Sequence, residues 1–124
     1  MLAYVTLGTN NLEKALEFYD AFMQEFGAKR FFDNGRLYFY GTEPGQPMLV
    51  VGGPYDEQAA NCGNGHMVAL NASGPEEVQK IYKRAIELGA TCDGQPGERV
   101  PGVFYGAYFR DLDGNKLCVC KLGG

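Results

Sequence analysis

The chain has 124 residues, 45% of them hydrophobic, a length suited to one domain or to two small halves sharing a core. Its net charge of −4 argues against nucleic acid or an anionic membrane as partner, because neutralising phosphate needs an excess of Lys and Arg. A single histidine, His66, excludes a two-His metal site within one chain and leaves His66 as the only imidazole for a catalytic triad or dyad.

Residues 2–7 alternate in polarity and read as a strand. Asn10 then caps a helix, with Glu13 three residues on as its capping-box partner. Leu12, Ala15, Leu16, Tyr19, Phe22, Met23 and Phe26 form its apolar stripe, and Gly27 is its left-handed stop. Two aromatic-rich runs, 28–33 and 36–40, flank Asn34-Gly35, a hairpin dipeptide whose residues tolerate positive φ. Residues 47–51 read as a short fourth strand, followed by a Gly/Asn-rich connector. The plan then repeats with a strand at 66–70. Ser73 to Glu76 forms a capping box with Pro75 in the first helical turn, and Val78, Ile81, Tyr82, Ala85 and Leu88 make the stripe. Gly89 ends this helix, and strands follow at 91–93, 103–110 and 116–121.

Tyr4 to Gly27 and His66 to Gly89 span equal lengths, an offset of 62 residues between copies. The sequence therefore reads as one domain made of a βαβββ unit used twice, at 1–53 and 66–122, with residues 54–65 as linker. The expected fold is α+β: a curved, mostly antiparallel eight-stranded sheet with a helix behind each half. A ligand belongs on the shared concave face. No apolar run approaches the ~18–20 residues of a membrane span, and the chain reads directly into a strand with no secretory leader. Cys62, Cys92, Cys118 and Cys120 form no C-x-x-C pair, so reduced thiols in a cytoplasmic protein are expected.

Three segments resemble the vicinal oxygen chelate superfamily of glyoxalase I, bleomycin-resistance proteins, fosfomycin-resistance enzymes and extradiol dioxygenases. They are YVTLGTNNLEKALEFY (4–19), HMVAL (66–70) and YFRDLDGNKL (108–117), the last similar to the family's closing hairpin. The resemblance covers nearly the whole chain. It implies metal ligands on the first, fourth, fifth and eighth strands, usually His, Glu, His and Glu, and a homodimer. The first position falls on Tyr4, the fifth-strand position on His66 and the eighth on Cys118. On the fourth strand, 46–52 contains no acid, and Leu49 or the same-facing Val51 occupies the place. His66 is thus the one retained ligand, and no metal cofactor is expected.

His66 reads as a hydrogen-bonded histidine on a partly buried strand, as a polar handle in a pocket, or as a metal ligand. Cys118 and Cys120 share a strand face and read as small buried hydrophobes, or with His66 as a zinc site or a thiol paired with a base. Tyr4 reads as an aromatic wall or as a phenolic acid/base. Tyr38, Tyr40, Tyr105 and Tyr108, with Arg36 and Arg110, suit a planar or anionic ligand, or are ordinary sheet content. Arg110 can equally be pinned inside its own Asp111–Asp113 turn. The glycines fit no phosphate-loop motif and mark turns and helix stops.

The expected function is therefore small-molecule binding by a glyoxalase/bleomycin-resistance-like homodimer lacking most metal ligands. The alternative is a divergent lactoylglutathione lyase-type lyase or isomerase, or a dioxygenase, using His66 with Cys118 or Tyr4 around Zn, Ni, Fe or Mn. A third reading is a dimeric interaction module with a vestigial pocket.

Overall fold

The computed structural model describes residues 1–123, which form α+β structure in two βαβββ modules. The first module contains β1 (Tyr4–Gly8), α1 (Leu12–Phe22) prolonged by a 3₁₀ turn at Met23–Phe26, β2 (Lys29–Asp33), β3 (Leu37–Gly41) and β4 (Met48–Gly52). The second contains β5 (Val68–Asn71), α2 (Pro75–Glu87), β6 (Thr91–Val100), β7 (Phe104–Arg110) and β8 (Lys116–Leu122). Each module carries its own four-stranded mixed sheet, ordered β1-β4-β3-β2 and β5-β8-β7-β6, with β1–β4 and β5–β8 parallel. Strands β1 and β5 are not hydrogen-bonded to each other, so the two sheets meet along an open seam.

The helices form where the apolar stripes place them, with different caps. Asn11, not Asn10, caps α1 by accepting from the Lys14 amide. Asn10 instead exchanges two hydrogen bonds with the backbone of Ala60. In α2 the N-cap is Gly74, and Ser73 bonds Glu77 rather than Glu76. Phe18 joins Ala15, Tyr19 and Phe22 on the buried face of α1, although the sequence stripe passed over it. In the β2–β3 hairpin only Gly35 has positive φ, +88°, while Asn34 accepts from the amides of Arg36 and Leu37.

Strand β6 runs well beyond residue 93. It tolerates Pro96 and three register shifts because it is an edge strand with one side free of a ladder.

Val5, Leu7, Tyr38, Tyr40, Leu49 and Val51 face α1, and Val68, Leu70, Tyr105, Ala107, Phe109, Leu117 and Val119 face α2. All belong to one core cluster, and Phe22 of α1 meets Phe109 of β7 edge-on at 5.6 Å between ring centres. Truncating a buried ring such as Phe22 to Ala costs about 3–5 kcal/mol, because the cavity left behind closes only partly. By strand alternation Tyr4, Thr6, Phe39, Met48 and Val50 face the opposite, open side, as do Ala69, Tyr108, Lys116, Cys118 and Cys120. A bulge between Arg30 and Phe32 adds Phe31 and Phe32 to that side. Among the described residues no helix is long and apolar enough to cross a membrane.

Candidate functional site

The pairing registers relate the modules residue by residue. Val5 pairs Leu49 as Val68 pairs Leu117, and the Thr9 amide bonds the Gly52 carbonyl as the Ala72 amide bonds that of Cys120. The offset is therefore 63 along the first strand of each module, and the helices agree: Ala15, Phe18 and Phe22 correspond to Val78, Ile81 and Ala85. The 3₁₀ turn puts one more residue between Phe22 and Gly27 than lies between Ala85 and Gly89, which is why the stop glycines suggested 62.

This one-residue difference moves a candidate. The counterpart of Tyr4 is Met67, not His66. His66 precedes β5 by two residues, is exposed, and packs its imidazole against the backbone of Gly63, where any Cβ would lie 2.4 Å from Nδ1. On β4 the open-face residue is Val50, while Leu49 and Val51 point into the helix-side core. Val50 in turn corresponds to Cys118, since Val50 pairs Thr6 and Phe39 as Cys118 pairs Ala69 and Tyr108. Two residues flank the seam at 46% and 45% exposure, Tyr4 and Met67, and two lie fully buried beside them, Val50 and Cys118.

Two cavities open along the seam. One, of about 620 Å³, is bounded by Tyr4, Met48, Met67, Ala69 and Asn71 and, from the helix side, by Tyr40, Met23 and Phe26, with no charged side chain in its lining. The other, of about 560 Å³, is bounded by Thr6, Asn61, His66, Met67, Asn115 and Lys116.

The predicted aromatic and cationic set is split by strand alternation. Tyr38 and Tyr105 face the helices, where Tyr105 accepts from Gln79 of α2 at 2.8 Å. Tyr40 also turns to the helix side. Its hydroxyl donates to Asp20 at 2.6 Å, and burial with that bond holds its pKa well above the usual phenol value. Arg36 donates to the Gly53 carbonyl and stacks on Tyr55. Arg110 is held by Asp93 at 3.0 Å and by the Gly114 carbonyl of its own turn. Only Tyr108 of the four tyrosines stands on the open face, beside Cys118.

The Asp111–Asn115 turn acts as a clasp between modules. Asp111 accepts from Tyr19 of α1 at 2.6 Å and from Asn115, whose amide also donates to the Gly8 carbonyl. Asp113 accepts from the Asn10 amide.

A profile of the Glyoxalase/Bleomycin resistance protein/Dioxygenase superfamily matches residues 1–119. The chain is 34% identical to a glyoxalase/bleomycin resistance protein from Albidiferax ferrireducens T118, with TM-score 0.87 and 98% of each chain covered. The chain belongs to the glyoxalase/bleomycin resistance/dioxygenase superfamily. It also shares its fold with a glyoxalase-related enzyme from Fulvimarina pelagi (23% identity, TM-score 0.74, covering 98% of this chain and 87% of that one). A lactoylglutathione lyase from Agrobacterium tumefaciens has the same fold (23% identity, TM-score 0.69, covering 98% and 92%). No curated protein matches the sequence.

Membership in this superfamily implies a metal held from the first, fourth, fifth and eighth strands. Here those places carry a phenol, a hydrocarbon, a thioether and a thiol. Burial, with Cys120 alongside, pushes the Cys118 thiol up to about 12, so it is protonated at neutral pH. These side chains do not fit a divalent ion that the superfamily holds with imidazoles and carboxylates. Among the described residues no group of three His, Cys, Asp or Glu is placed to hold a metal ion.

Lys116 and Met67 were missed at the sequence level. Lys116 was legible, because alternation along β8 puts it on the same face as Cys118. Met67 was hidden by the glycine-to-glycine alignment.

Proposed function

We propose that this superfamily member binds a small organic molecule in the seam between its half-sheets, without a resident metal. The observation that carries this reading is the uncharged cavity of about 620 Å³ beside Tyr4 and Met67, at places where relatives are expected to present metal ligands. Such a volume suits a drug-sized ligand, and its apolar lining with Asn71 at one side supplies burial plus an orienting amide. Tyr4 at the cavity wall is braced edge-on by Phe39 at 5.2 Å, and Phe39 packs against Phe32 at 5.3 Å behind it. We also infer a homodimer, supported by the exposed Phe31, Phe32, Val100 and Val103, and a cytoplasmic setting that keeps its four thiols reduced.

Two measurements test the reading. Metal analysis of the purified protein should give Zn, Ni, Fe and Mn well below one per chain, and about one tightly held ion per chain overturns it. The neutral fluorophore 2-naphthol should bind saturably, and Tyr4→Ala or Met67→Ala should weaken it by roughly tenfold. Unchanged affinity in both variants places the ligand elsewhere.

A further inference from the structure

The pseudo-symmetry of the modules breaks at one pair of positions. Met48 at the start of β4 corresponds to Lys116 at the start of β8, because Leu49 corresponds to Leu117. Met48 lines the uncharged cavity, and Lys116 lines the cavity at the other end of the seam. The two cavities share Val5, Met67 and Val68, so together they form one groove with an apolar end and a cationic end.

A second cation, Arg99, lies near Lys116 although it lines neither cavity. The Arg99 guanidinium lies 5.2 Å from the centre of the Tyr108 ring and the Lys116 ammonium 5.3 Å from it. Cys118, the cross-strand neighbour of Tyr108, feels both charges, which oppose the burial that raises its pKa. Nearby acids neutralise the pair only in part. Asp93 is shared between Arg110 at 3.0 Å and Lys116 at 3.5 Å. Glu98 accepts from the Gly102 amide, and Arg99 itself donates to the Gln95 carbonyl. Among the described residues no carboxylate lies within ion-pair distance of Arg99. A chain of net charge −4 thus keeps a local excess of positive charge around the place where its superfamily is expected to put a metal-binding carboxylate.

We propose that Arg99 and Lys116 form an anion subsite, so that the seam takes an organic oxyanion, a carboxylate or phosphate carried on an apolar body. This rests on the seam-binding reading above. The head takes charge-assisted hydrogen bonds from Lys116 at the cavity wall and is drawn by the charge of Arg99, and the body extends past Met67 toward Tyr4 and Met48. The inversion is electrostatic: the wall that would bind a cation through carboxylates binds an anion directly.

The test compares 2-naphthoate with 2-naphthol, which share the same ring system and differ in charge, by calorimetric titration of the full chain at low salt. Naphthoate should bind at least about tenfold more tightly, and the preference should shrink at high salt. Arg99→Gln and Lys116→Gln should each reduce it, and the double variant should abolish it while 2-naphthol affinity stays unchanged. Lys116→Met, which copies the residue at the symmetry-related place, should reduce it as Lys116→Gln does, and melting temperatures without ligand check that each variant is folded. Naphthoate binding no tighter than naphthol, or a preference that survives the double variant, overturns the anion subsite and leaves the seam reading standing. Failure of both probes to bind overturns both.

Discussion

The phenol of Tyr19, in the first module, donates a 2.6 Å hydrogen bond to Oδ2 of Asp111 in the second. Both side chains are buried, and Asn115 closes the network by bridging Asp111 to the Gly8 carbonyl. The D-x-D-G-N turn that marks the superfamily in sequence is therefore a structural joint here. It does not line the apolar end of the seam. Tyr19→Phe should cost about 1–3 kcal/mol in urea unfolding, the range for a buried bond to a charged group. Asp111→Ala should cost more, since it strands the Tyr19 hydroxyl, the Asn115 amide and the turn amides together. Negligible losses in both would show that the clasp is dispensable, and equal losses that Asp111 acts through Tyr19 alone.

The same bond sets an alkaline limit. Burial, then the Asp111 charge and hydrogen bond, hold the Tyr19 pKa well above the usual phenol value, and Tyr40 is raised by burial and by Asp20. A phenol raised in the folded state keeps its proton where the unfolded chain has lost it. Its contribution is complete below about pH 10 and is lost as pH rises toward the folded-state pKa. Melting temperature should fall steeply above pH 10, and Tyr19→Phe should flatten that slope. A tyrosinate absorbance titration should show two phenols ionising only with unfolding.

Asp20 sets an acid limit of opposite sign. Hydrogen bonds from Arg30, the larger cause, and from Tyr40 lower its pKa, while partial burial opposes them. The stability it adds is present above the ordinary carboxylate value and is lost as pH falls through the lowered one. Asp20→Asn should weaken the protein by about 1 kcal/mol at neutral pH, a figure kept small because the Arg30–Asp20 pair is partly exposed. It should also flatten the acid limb of a pH–stability curve; an unchanged limb would remove Asp20 from the account.

The four thiols should separate by rate. Cys92 is exposed and Cys62 intermediate, whereas Cys118 and Cys120 are buried. With Ellman's reagent at pH 8, Cys92 should react first and Cys62 more slowly. Cys118 and Cys120 should react only on unfolding, because a thiol must be both accessible and ionised. Rapid labelling of Cys118, read by peptide mass spectrometry, would show that the open face of β8 is accessible in solution.

The symmetry assignment can be tested by restoring a metal site. The quadruple variant Tyr4→His, Val50→Glu, Met67→His, Cys118→Glu places two imidazoles and two carboxylates at the corresponding positions. It should bind about one Zn²⁺ per chain and melt at higher temperature with zinc than without. The triple variant keeping Met67 and relying on natural His66 should not. The reverse result would restore the offset of 62.

Strand alternation, stripe spacing and turn residues made most of the fold legible, because each depends on neighbours within a few residues. They located both helices, the duplicated βαβββ plan and the superfamily motifs, and alternation alone paired Cys118 with Cys120. They mistook details that tertiary contacts decide. Asn11 rather than Asn10 became the cap because Asn10 is engaged by Ala60, some fifty residues away. Arg99 came to lie over Tyr108 because β6 continues past Gly94 and Gly97, glycines against which the Arg99 guanidinium packs.

By itself the sequence determined that two similar modules exist, most of the residues each helix buries, and that one histidine could not furnish the family's metal site. Only the tertiary structure decided which residue of each strand faces the seam. A single extra residue in the 3₁₀ turn after α1 displaces the alignment of the halves by one. In a strand, where side chains alternate, one residue is the difference between the core face and the open face. That step replaces His66 with Met67, while the pairing of β4 with β1 and β3 puts Val50 rather than Leu49 on the open face and gives Lys116 the place that Met48 holds in the first module.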